Sequence, residues 1–248
     1  MSNRLRDKSA VITGGASGIG LATAKRFAAE GARVFITSRR QEGLDGALDQ
    51  IGAGAEGVLV DAANLADLDK LYDVINQRVG SLDIVMANTA SAAMEPLGQI
   101  TEKQVDAALD TNVKGTIFTV QKALPLLTDT ASIILTASTT TTRPGPGQTV
   151  YAATKAAVRN LARTWGLELG GRGIRVNALS PGPTRTPGLL SFIPGNPDEV
   201  LASMASSVPL GRTADPAEIA SAAVFLASDE ASFVNGIEFF VDGGHAQV

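Results

Sequence analysis

The sequence contains no cysteine and only one histidine, His245, in 248 residues. Without cysteine the chain can form no disulfide, no thiolate nucleophile and no cysteine metal site. A single histidine close to the C-terminus argues against a Ser-His-Asp hydrolase and against a metal site with several histidine ligands. Any chemistry must therefore use hydroxyls, carboxylates, amines or a bound cofactor, and we expect no metal.

The net charge and the lengths of the apolar runs argue against two further classes of protein. The 21 Lys and Arg residues and 25 Asp and Glu residues give a formal net charge of −4, which argues against a nucleic-acid partner bound through a basic surface. No apolar run approaches the roughly 20 residues that a membrane helix needs. Residues 1–8 are charged and are not followed by the apolar region of a signal peptide. We therefore expect a cytoplasmic protein with no membrane partner.

Short apolar runs rich in Val and Ile recur along the chain, with helical spacing between them. The runs are Ala10–Thr13, Val34–Thr37, Val58–Val60, Ile84–Ala87, Ile133–Thr136, Ile174–Leu179 and Ile237–Val241. Such runs suit parallel strands that helices cover on both faces. Stripes at helical spacing include one long stripe from Val105 to Val120. The alternation predicts an α/β fold, one domain over residues 1–248, with a doubly wound parallel sheet of about seven strands flanked by helices. The proline-rich stretch Pro181–Pro197 is interpreted as a long loop.

A glycine-rich turn, Thr13–Gly20, follows the first predicted strand and opens the first predicted helix. Gly14 permits the tight turn, Gly18 lets a phosphate approach the backbone, and Gly20 allows close packing of helix and strand. The helix N-terminus offers free N–H groups to an anion. We expect a dinucleotide to contact Gly14, Ser17, Gly18, Ile19 and Gly20. The alternative is a glycine-rich turn with no ligand.

The end of the second predicted strand indicates which dinucleotide is bound. An acidic residue there would hold the ribose 2′-hydroxyl of NAD. The sequence instead has Ser38, Arg39 and Arg40, which can donate to a phosphate. This favours NADP(H) over NAD(H). The alternative is a solvated pair of arginines at a helix start.

Tyr151 and Lys155 are four residues apart in a predicted helix and so share one face. A nearby ammonium favours the phenolate, which lowers the tyrosine pKa and suits it to general acid and base catalysis. Ser138 ends the fifth predicted strand, where the ligand crevice of such a sheet lies. Asn112 interrupts an apolar stripe, either as a core amide bonded to backbone or as part of a polar relay.

Five motifs, in this order and spacing, resemble the single-domain short-chain dehydrogenase/reductase family over essentially the whole chain. They are T-G-x3-G-x-G at Thr13–Gly20, Asn112 in T-N-V-K-G, Ser138, Y-x3-K at Tyr151–Lys155, and Pro181-Gly182. The resemblance implies a Rossmann-type fold and hydride transfer between a nicotinamide and a carbonyl carbon. It implies four roles: Tyr151 exchanges the proton, Lys155 lowers the tyrosine pKa and binds the ribose, Ser138 polarises the carbonyl, and Asn112 holds a relay water.

The resemblance also implies further cofactor contacts. It gives an adenine contact to Asp61 and Ala62, and a cover over the nicotinamide to Pro181, Gly182, Thr184 and Thr186. It implies that Asn88 stabilises the sheet, in a motif where Ala90 replaces the family glycine. Loop capping is the alternative for Asp61 and Asn88.

Four segments are expected to form the substrate wall: Ser91–Met94, Thr139–Thr142, Gln148 and Thr184–Asn196. Leu189, Leu190, Phe192 and Ile193 make the last segment apolar, so we expect a partly apolar ketone or secondary alcohol. The threonine run could equally be loop filler.

The resemblance favours an NADP(H)-dependent carbonyl reductase or alcohol dehydrogenase. The alternatives are a catalytically silent cofactor-binding sensor or structural protein, and an epimerase or dehydratase. The resemblance also implies a homo-oligomer, a tetramer or dimer. The alanines at 152, 153, 156 and 157 leave one flank of the Tyr151 helix small enough for such contact.

Overall fold

The computed structural model describes residues 3–92, 94–191 and 196–248. Within them, one parallel sheet of seven strands has the order β3-β2-β1-β4-β5-β6-β7. The strands are β1 Ser9–Ile12, β2 Arg33–Ser38, β3 Ala55–Leu59, β4 Leu82–Ala87, β5 Leu127–Thr136, β6 Arg175–Pro181 and β7 Glu238–Val241. Each overlaps one of the seven apolar runs, so the predicted doubly wound fold class is confirmed.

Helices connect the strands and cover both faces of the sheet. They are α1 Gly18–Ala29, α2 Gln41–Ile51, α3 Leu65–Arg78, α4 Glu102–Ala108, α5 Gly115–Ala123, α6 Thr149–Leu169, α7 Pro187–Ser191, α8 Pro197–Ser206 and α9 Pro216–Ala227. Among the described residues, no helix has both the length and the apolar character to cross a membrane.

Two hydrophobic cores lie on opposite faces of the sheet. Successive residues of a strand point to opposite faces, so Ile133 and Leu135 enter the core beneath α3, α5 and α6. Ile134, between them, enters the core beneath α1, α2 and α9. Both faces of the sheet are buried. The central parts of the strands are therefore apolar on both sides, and do not alternate between apolar and polar residues.

The long helical stripe from Val105 to Val120 does not form one regular α-helix. Thr101 and Gln104 begin α4 with a reciprocal capping box, but residues Leu109–Lys114 form a π-helical segment between α4 and α5. That segment contains Asn112. The stripe is helical throughout, as its spacing indicates, but apolar spacing alone does not reveal the one wider turn.

The interpretation of Pro181–Pro197 as a long loop is wrong in part. Pro181 ends β6, Pro187 begins α7, and Pro197 begins α8 after the N-cap Asn196. Proline suits the first position of a helix because the N–H that it lacks has no partner there. Phe192 and Ile193, expected in the substrate wall, lie outside the described residues.

The strand order places a crevice beside β1. The chain runs outward from β1 through β2 to β3, then crosses back to β4 on the other side of β1. Ligands of open α/β sheets bind at this change of direction, outside the carboxyl ends of the strands. The glycine-rich turn follows β1 at this point.

We predict that Gly20→Ala destabilises the protein by about 1–3 kcal/mol, the usual cost of overpacking. A Cβ at Gly20 would lie 2.3 Å from the Gly14 carbonyl oxygen and 2.7 Å from Asn88 Nδ2, so the backbone of α1 must move. Urea unfolding measures the change. Gly46→Ala is the matched control, because no atom lies within 4 Å of its added methyl; it should stabilise by about 0.5–1 kcal/mol. Equal effects of the two changes would contradict the close approach at Gly20.

Candidate active site

The turn after β1 is built to receive an anion at the start of α1. Gly14 has a φ of +65°, a conformation that side chains disfavour. The N-cap Ser17 makes no side-chain capping bond, and the first turn of α1 carries no acid. The first N–H groups of α1 therefore remain available to a phosphate.

The end of β2 presents two cations to the same crevice. Arg39 and Arg40 are exposed, and within the described residues neither guanidinium has an ion pair or hydrogen bond. Ser38 Oγ lies 3.2 Å from the Arg40 N–H, from which it accepts, and 3.1 Å from the Arg40 carbonyl, to which it donates. The serine therefore shapes the turn in this structure, and the arginines are the groups free to meet an anion.

Ser138, Tyr151 and Lys155 meet where β5 and α6 lie side by side. Ser138 follows β5 by two residues and caps the short 3-10 helix Thr139–Thr141, accepting from the Thr140 N–H at 3.2 Å. Tyr151 lies in the first turn of α6, and Lys155 lies one turn later. All three side chains border one cavity.

Lys155 is a buried cation held by backbone. The residue is only 2% exposed. Nζ donates to the Thr136 carbonyl oxygen at 2.7 Å and lies 5.7 Å from the centre of the Tyr151 ring. Burial lowers the pKa of Lys155 from 10.5 to about 8.

Burial also governs the phenol of Tyr151. It raises the Tyr151 pKa above 10.0, and a hydrogen bond with Ser138 offsets part of that rise. The net direction is opposite to the lowering that we expect from the Lys155 ammonium, because desolvation of the phenolate is the largest effect on the Tyr151 pKa. Tyr151 therefore carries its proton at neutral pH, as a proton donor must.

The side-chain amide of Asn112 forms hydrogen bonds to other protein atoms through both its oxygen and its nitrogen. It is 1% exposed. Oδ1 accepts from the Ser91 N–H at 2.7 Å, and Nδ2 donates to the Ser91 carbonyl at 2.8 Å and to Thr154 Oγ1 at 3.0 Å. Its side chain is thus a core amide that fixes the segment after β4 against α6, beside Lys155. Its part in a relay stays a prediction.

Asn88 links the ends of three strands. Its N–H donates to Thr13 Oγ1 at 3.0 Å, and Nδ2 donates to the Thr13 carbonyl at 3.1 Å. Its Oδ1 accepts from Thr136 Oγ1 at 3.2 Å. This is the stabilising role that we expect from the sequence. Ala90, two residues later, is exposed and borders the cavity.

From the sequence we expect Asp61 and Ala62 to contact the adenine. In the structure, neither residue borders the cavity. Asp61 Oδ1 instead accepts from the Ala63 N–H at 3.0 Å and so caps the turn before α3. Ala62 is buried and touches the position where Gly115 would carry a Cβ. Val60 reaches the cavity in their place.

A cavity of about 980 Å³ joins the two halves of the site. It lies at the upper end of the range for ligand sites and is large enough for an extended dinucleotide. The expected site residues that line it are Gly14, Ser17, Gly18, Ile19, Ser38, Arg39, Arg40, Asn88, Ser138, Tyr151, Lys155, Pro181, Gly182, Thr184 and Thr186. Those that do not are Gly20, Asp61, Ala62 and Asn112.

The expected substrate wall is present in part. Ser91, Ala92, Met94, Thr139, Thr140, Gln148 and Leu189 border the cavity, whereas Thr141, Thr142 and Leu190 do not. The threonine run is therefore divided: its first two residues face the cavity and Thr141 makes structural bonds. No group of three or more His, Asp or Glu side chains in the described ranges is placed to hold a metal ion.

Glu238 is a positioning residue that the sequence reasoning missed. Its side chain, 7% exposed, accepts from Ser180 Oγ at 2.8 Å and from Thr141 Oγ1. The Thr141 N–H in turn donates to the Ser138 carbonyl at 3.1 Å. Glu238 thereby holds the segment that carries Ser138 against β6. A carboxylate inside the apolar run of β7 was the available signal.

Among the cavity residues that were not expected from the sequence are Arg143, Met204, Ser207 and His245. The His245 ring nitrogen Nδ1 lies 3.2 Å from the Ser207 carbonyl oxygen, which fixes the C-terminal turn against the end of α8. Arg143 Nη1 donates to the His245 carbonyl. These contacts join residues far apart in the chain, so no local pattern announces them.

Comparisons with known proteins agree with this geometry. Residues 14–246 match the profile of a family described as enoyl-(acyl carrier protein) reductase. The chain is 48% identical over 247 residues to the oxidoreductase asL5 of Sarocladium schorii, covering 99% of this chain and 98% of that protein. It is 37% identical over 250 residues to the 3-oxoacyl-[acyl-carrier-protein] reductase FabG of Thermotoga maritima, covering 97% and 98%. The crystal structure of a 3-ketoacyl-(acyl-carrier-protein) reductase from Brucella melitensis complexed with NADH superposes with a TM-score of 0.90 and 32% identity, covering 98% and 99%.

We predict that Lys155→Met stabilises the protein at neutral pH. The fall in the Lys155 pKa from 10.5 to about 8 corresponds to about 3 kcal/mol of disfavoured protonation in the folded state. The orphaned Thr136 carbonyl offsets part of this, leaving a net gain of about 1–2 kcal/mol. Urea unfolding at neutral pH measures it.

The pH dependence gives the same prediction an independent check. Because folding lowers the Lys155 pKa, the unfolded chain binds the extra proton between about pH 8 and 10.5, so the wild type gains stability as pH rises through that window. Lys155→Met should lose this rise, and the exposed-lysine control Lys25→Met should keep it. An unchanged slope in Lys155→Met would contradict the buried ammonium.

Proposed function

Because the chain belongs to the short-chain dehydrogenase/reductase family, we propose that it transfers a hydride between NADP(H) and a carbonyl or secondary alcohol, with Tyr151 as general acid and base. The chain is an oxidoreductase with the nicotinamide-dinucleotide-binding fold of its family. The observation that carries the finer proposal is the convergence of Ser138, Tyr151 and Lys155 on the cavity that begins at the N-terminus of α1.

The residues of the cavity fit a nicotinamide dinucleotide. The free N–H groups at the start of α1 suit its pyrophosphate, and Pro181, Gly182, Thr184 and Thr186 border the same cavity. When bound, the nicotinamide supplies or receives the hydride. Arg39 and Arg40 support a 2′-phosphate, hence NADP(H), because no acid at the end of β2 offers itself to a ribose hydroxyl. The Brucella melitensis relative is complexed with NADH, so the preference for the phosphate is our proposal for this chain.

The proton chemistry rests on the phenol. Tyr151 carries its proton at neutral pH because burial raises its pKa, and it gives that proton to the oxygen of a carbonyl as the alcohol forms. The Ser138 hydroxyl donates to the same oxygen and polarises the carbonyl. The Lys155 ammonium stabilises the phenolate that Tyr151 becomes, across the 5.7 Å that separate Nζ from the ring centre.

Asn112 acts as a positioning residue in this scheme. Its bond to Thr154 fixes α6 one residue before Lys155. It lies outside the cavity, so its effect passes through the lysine.

The alanine-rich flank of α6 supports a homo-oligomer, a tetramer or dimer. Ala153 is exposed, and Ala152, Ala156 and Ala157 are only half-buried. This chain does not cover them fully, and small side chains allow a helix of a second copy to approach closely.

We predict that Tyr151→Phe lowers kcat by roughly 10²- to 10⁴-fold, the usual contribution of a general acid. NADPH absorbance with a panel of ketones measures kcat, and fluorescence titration of NADPH should show a nearly unchanged Kd. The matched control is Tyr72→Phe, which loses a buried hydrogen bond to the Thr119 carbonyl far from the cavity. An unchanged kcat in Tyr151→Phe would reject the general-acid role. NADPH that binds but is never consumed by the wild type would favour the silent cofactor-binding protein.

We predict that Arg39→Ala weakens NADPH binding by roughly ten- to a hundredfold, the range for a lost hydrogen bond to a charged group. NADH lacks the 2′-phosphate, so its Kd should change by no more than about twofold. Titrating both cofactors against the wild type and Arg39→Ala measures the difference. Equal losses for NADPH and NADH would show that Arg39 does not read the phosphate.

A further inference from the structure

In the part of the chain that the structure describes, the cavity lining contains several cations and no carboxylate. Among the described residues that border it are Arg39, Arg40, Arg143 and Lys155, and neither an aspartate nor a glutamate accompanies them. A ligand site with this lining favours negative charge, because each anion meets positive potential and no repulsion. The question is how many separate anions the cations serve.

The cations lie at opposite ends of the site. Arg39 and Arg40 follow β2, whereas Arg143 follows β5 and is bonded to the turn after β7. The order β2-β1-β4-β5 separates β2 from β5 by three strand spacings, roughly 14 Å at 4.8 Å each. The β2 end and the start of α1 together take the phosphates of the cofactor. Arg143 lies beyond Ser138 on the far side, so no cofactor phosphate is needed there.

Arg143 is held in place but not neutralised. Its N–H donates to the Thr139 carbonyl at 2.9 Å, and its Nη1 donates to the His245 carbonyl. The turn that provides this carbonyl is itself fixed, since Asp242 accepts from the N–H groups of Gly244 at 2.9 Å and Ala246 at 2.8 Å. Arg143 makes no ion pair within the described part of the chain. A guanidinium has five N–H donors, so the others are free for an acceptor.

We propose that Arg143 is a specificity-determining residue that binds an anionic group of the substrate, a carboxylate or a phosphate. The proposal rests on the proposed function and names its substrate class: a ketone or secondary alcohol with a partly apolar body and an anionic oxygen group. Met94, Leu189 and Met204 border the cavity for the apolar body. The guanidinium fork matches both carboxylate and phosphate oxygens.

Paired probes separate the anion from the ketone. Levulinate and methyl levulinate share one ketone and differ in the carboxylate; dihydroxyacetone phosphate and dihydroxyacetone differ in the phosphate. Calorimetric titration into protein saturated with NADP⁺ gives four Kd values without turnover, because the oxidised cofactor cannot reduce a ketone. We expect the anionic member of at least one pair to bind roughly ten- to a hundredfold more tightly, and the pair that shows it identifies the group.

Three variants assign that preference to Arg143. Arg143→Gln should abolish it, and Arg143→Lys should retain part of it, because the charge remains and the fork is lost. Arg163→Gln, at an exposed position of α6 outside the cavity, should leave it intact. Equal binding of both members of both pairs to the wild type would overturn the proposal, and so would a preference that survives in Arg143→Gln.

Turnover distinguishes this failure from failure of the proposed function. If NADPH is consumed with methyl levulinate as readily as with levulinate, and dihydroxyacetone as readily as its phosphate, the anion site is rejected and the reductase stands. If the anionic probes bind through Arg143 but no ketone consumes NADPH, the anion site stands and the reductase proposal fails.

Discussion

The amide of Asn88 ties together the two halves of the site. On one side it bonds to Thr13, where β1 passes into the glycine-rich turn, and on the other it accepts from Thr136 at the end of β5. The Thr136 carbonyl then holds the ammonium of Lys155. A continuous set of hydrogen bonds therefore joins the glycine-rich turn to Lys155 of the candidate site. Gly20 must lack a Cβ because α1 packs directly against this amide.

The same arrangement explains why the site costs stability. Lys155 is fully enclosed, and its pKa of about 8 reflects the free energy of keeping an ammonium away from water. Burial also disfavours the phenolate of Tyr151. Burial disfavours the charged forms of both Tyr151 and Lys155, which lie within one turn of helix. In the proposed mechanism, proton transfer from the phenol would leave opposite charges beside each other. The fold tolerates this because α6 packs into the apolar core on one face of the sheet and β5 contributes side chains to the cores on both faces.

Much of the fold could be predicted because strands that are buried on both faces appear in the sequence as short apolar runs. Each strand overlaps a short apolar run, and the glycine-rich turn and the Tyr-Lys spacing are local patterns as well. The failures have equally physical causes. Pro187 and Pro197 mark helix starts as well as loops, and a π-helical turn at Asn112 keeps the apolar spacing of an α-helix. The adenine contact expected at Asp61 stays a prediction, and in the structure its carboxylate caps a turn two residues away.

Contacts between residues far apart in the chain could not be predicted from the sequence. Glu238 reaches Thr141 across 97 residues, and Arg143 reaches the His245 carbonyl across 102. Both contacts hold the segment that follows β5. Glu238 bonds to Thr141, and Arg143, which borders the cavity, bonds to the His245 carbonyl.

The distribution of these roles suggests how such a site can change its substrate. In the proposed mechanism, the groups that transfer the proton lie on α6 and directly after β5, where Asn88, Thr136 and Glu238 make the supporting contacts. The cations proposed to distinguish ligands, Arg39 and Arg143, lie on the segments that follow β2 and β5 and make no ion pair with the described residues. Replacing either cation removes little from the packed core, since both are exposed. Specificity for cofactor and for substrate can therefore vary separately, while the bonds that align Tyr151 with Lys155 remain unchanged.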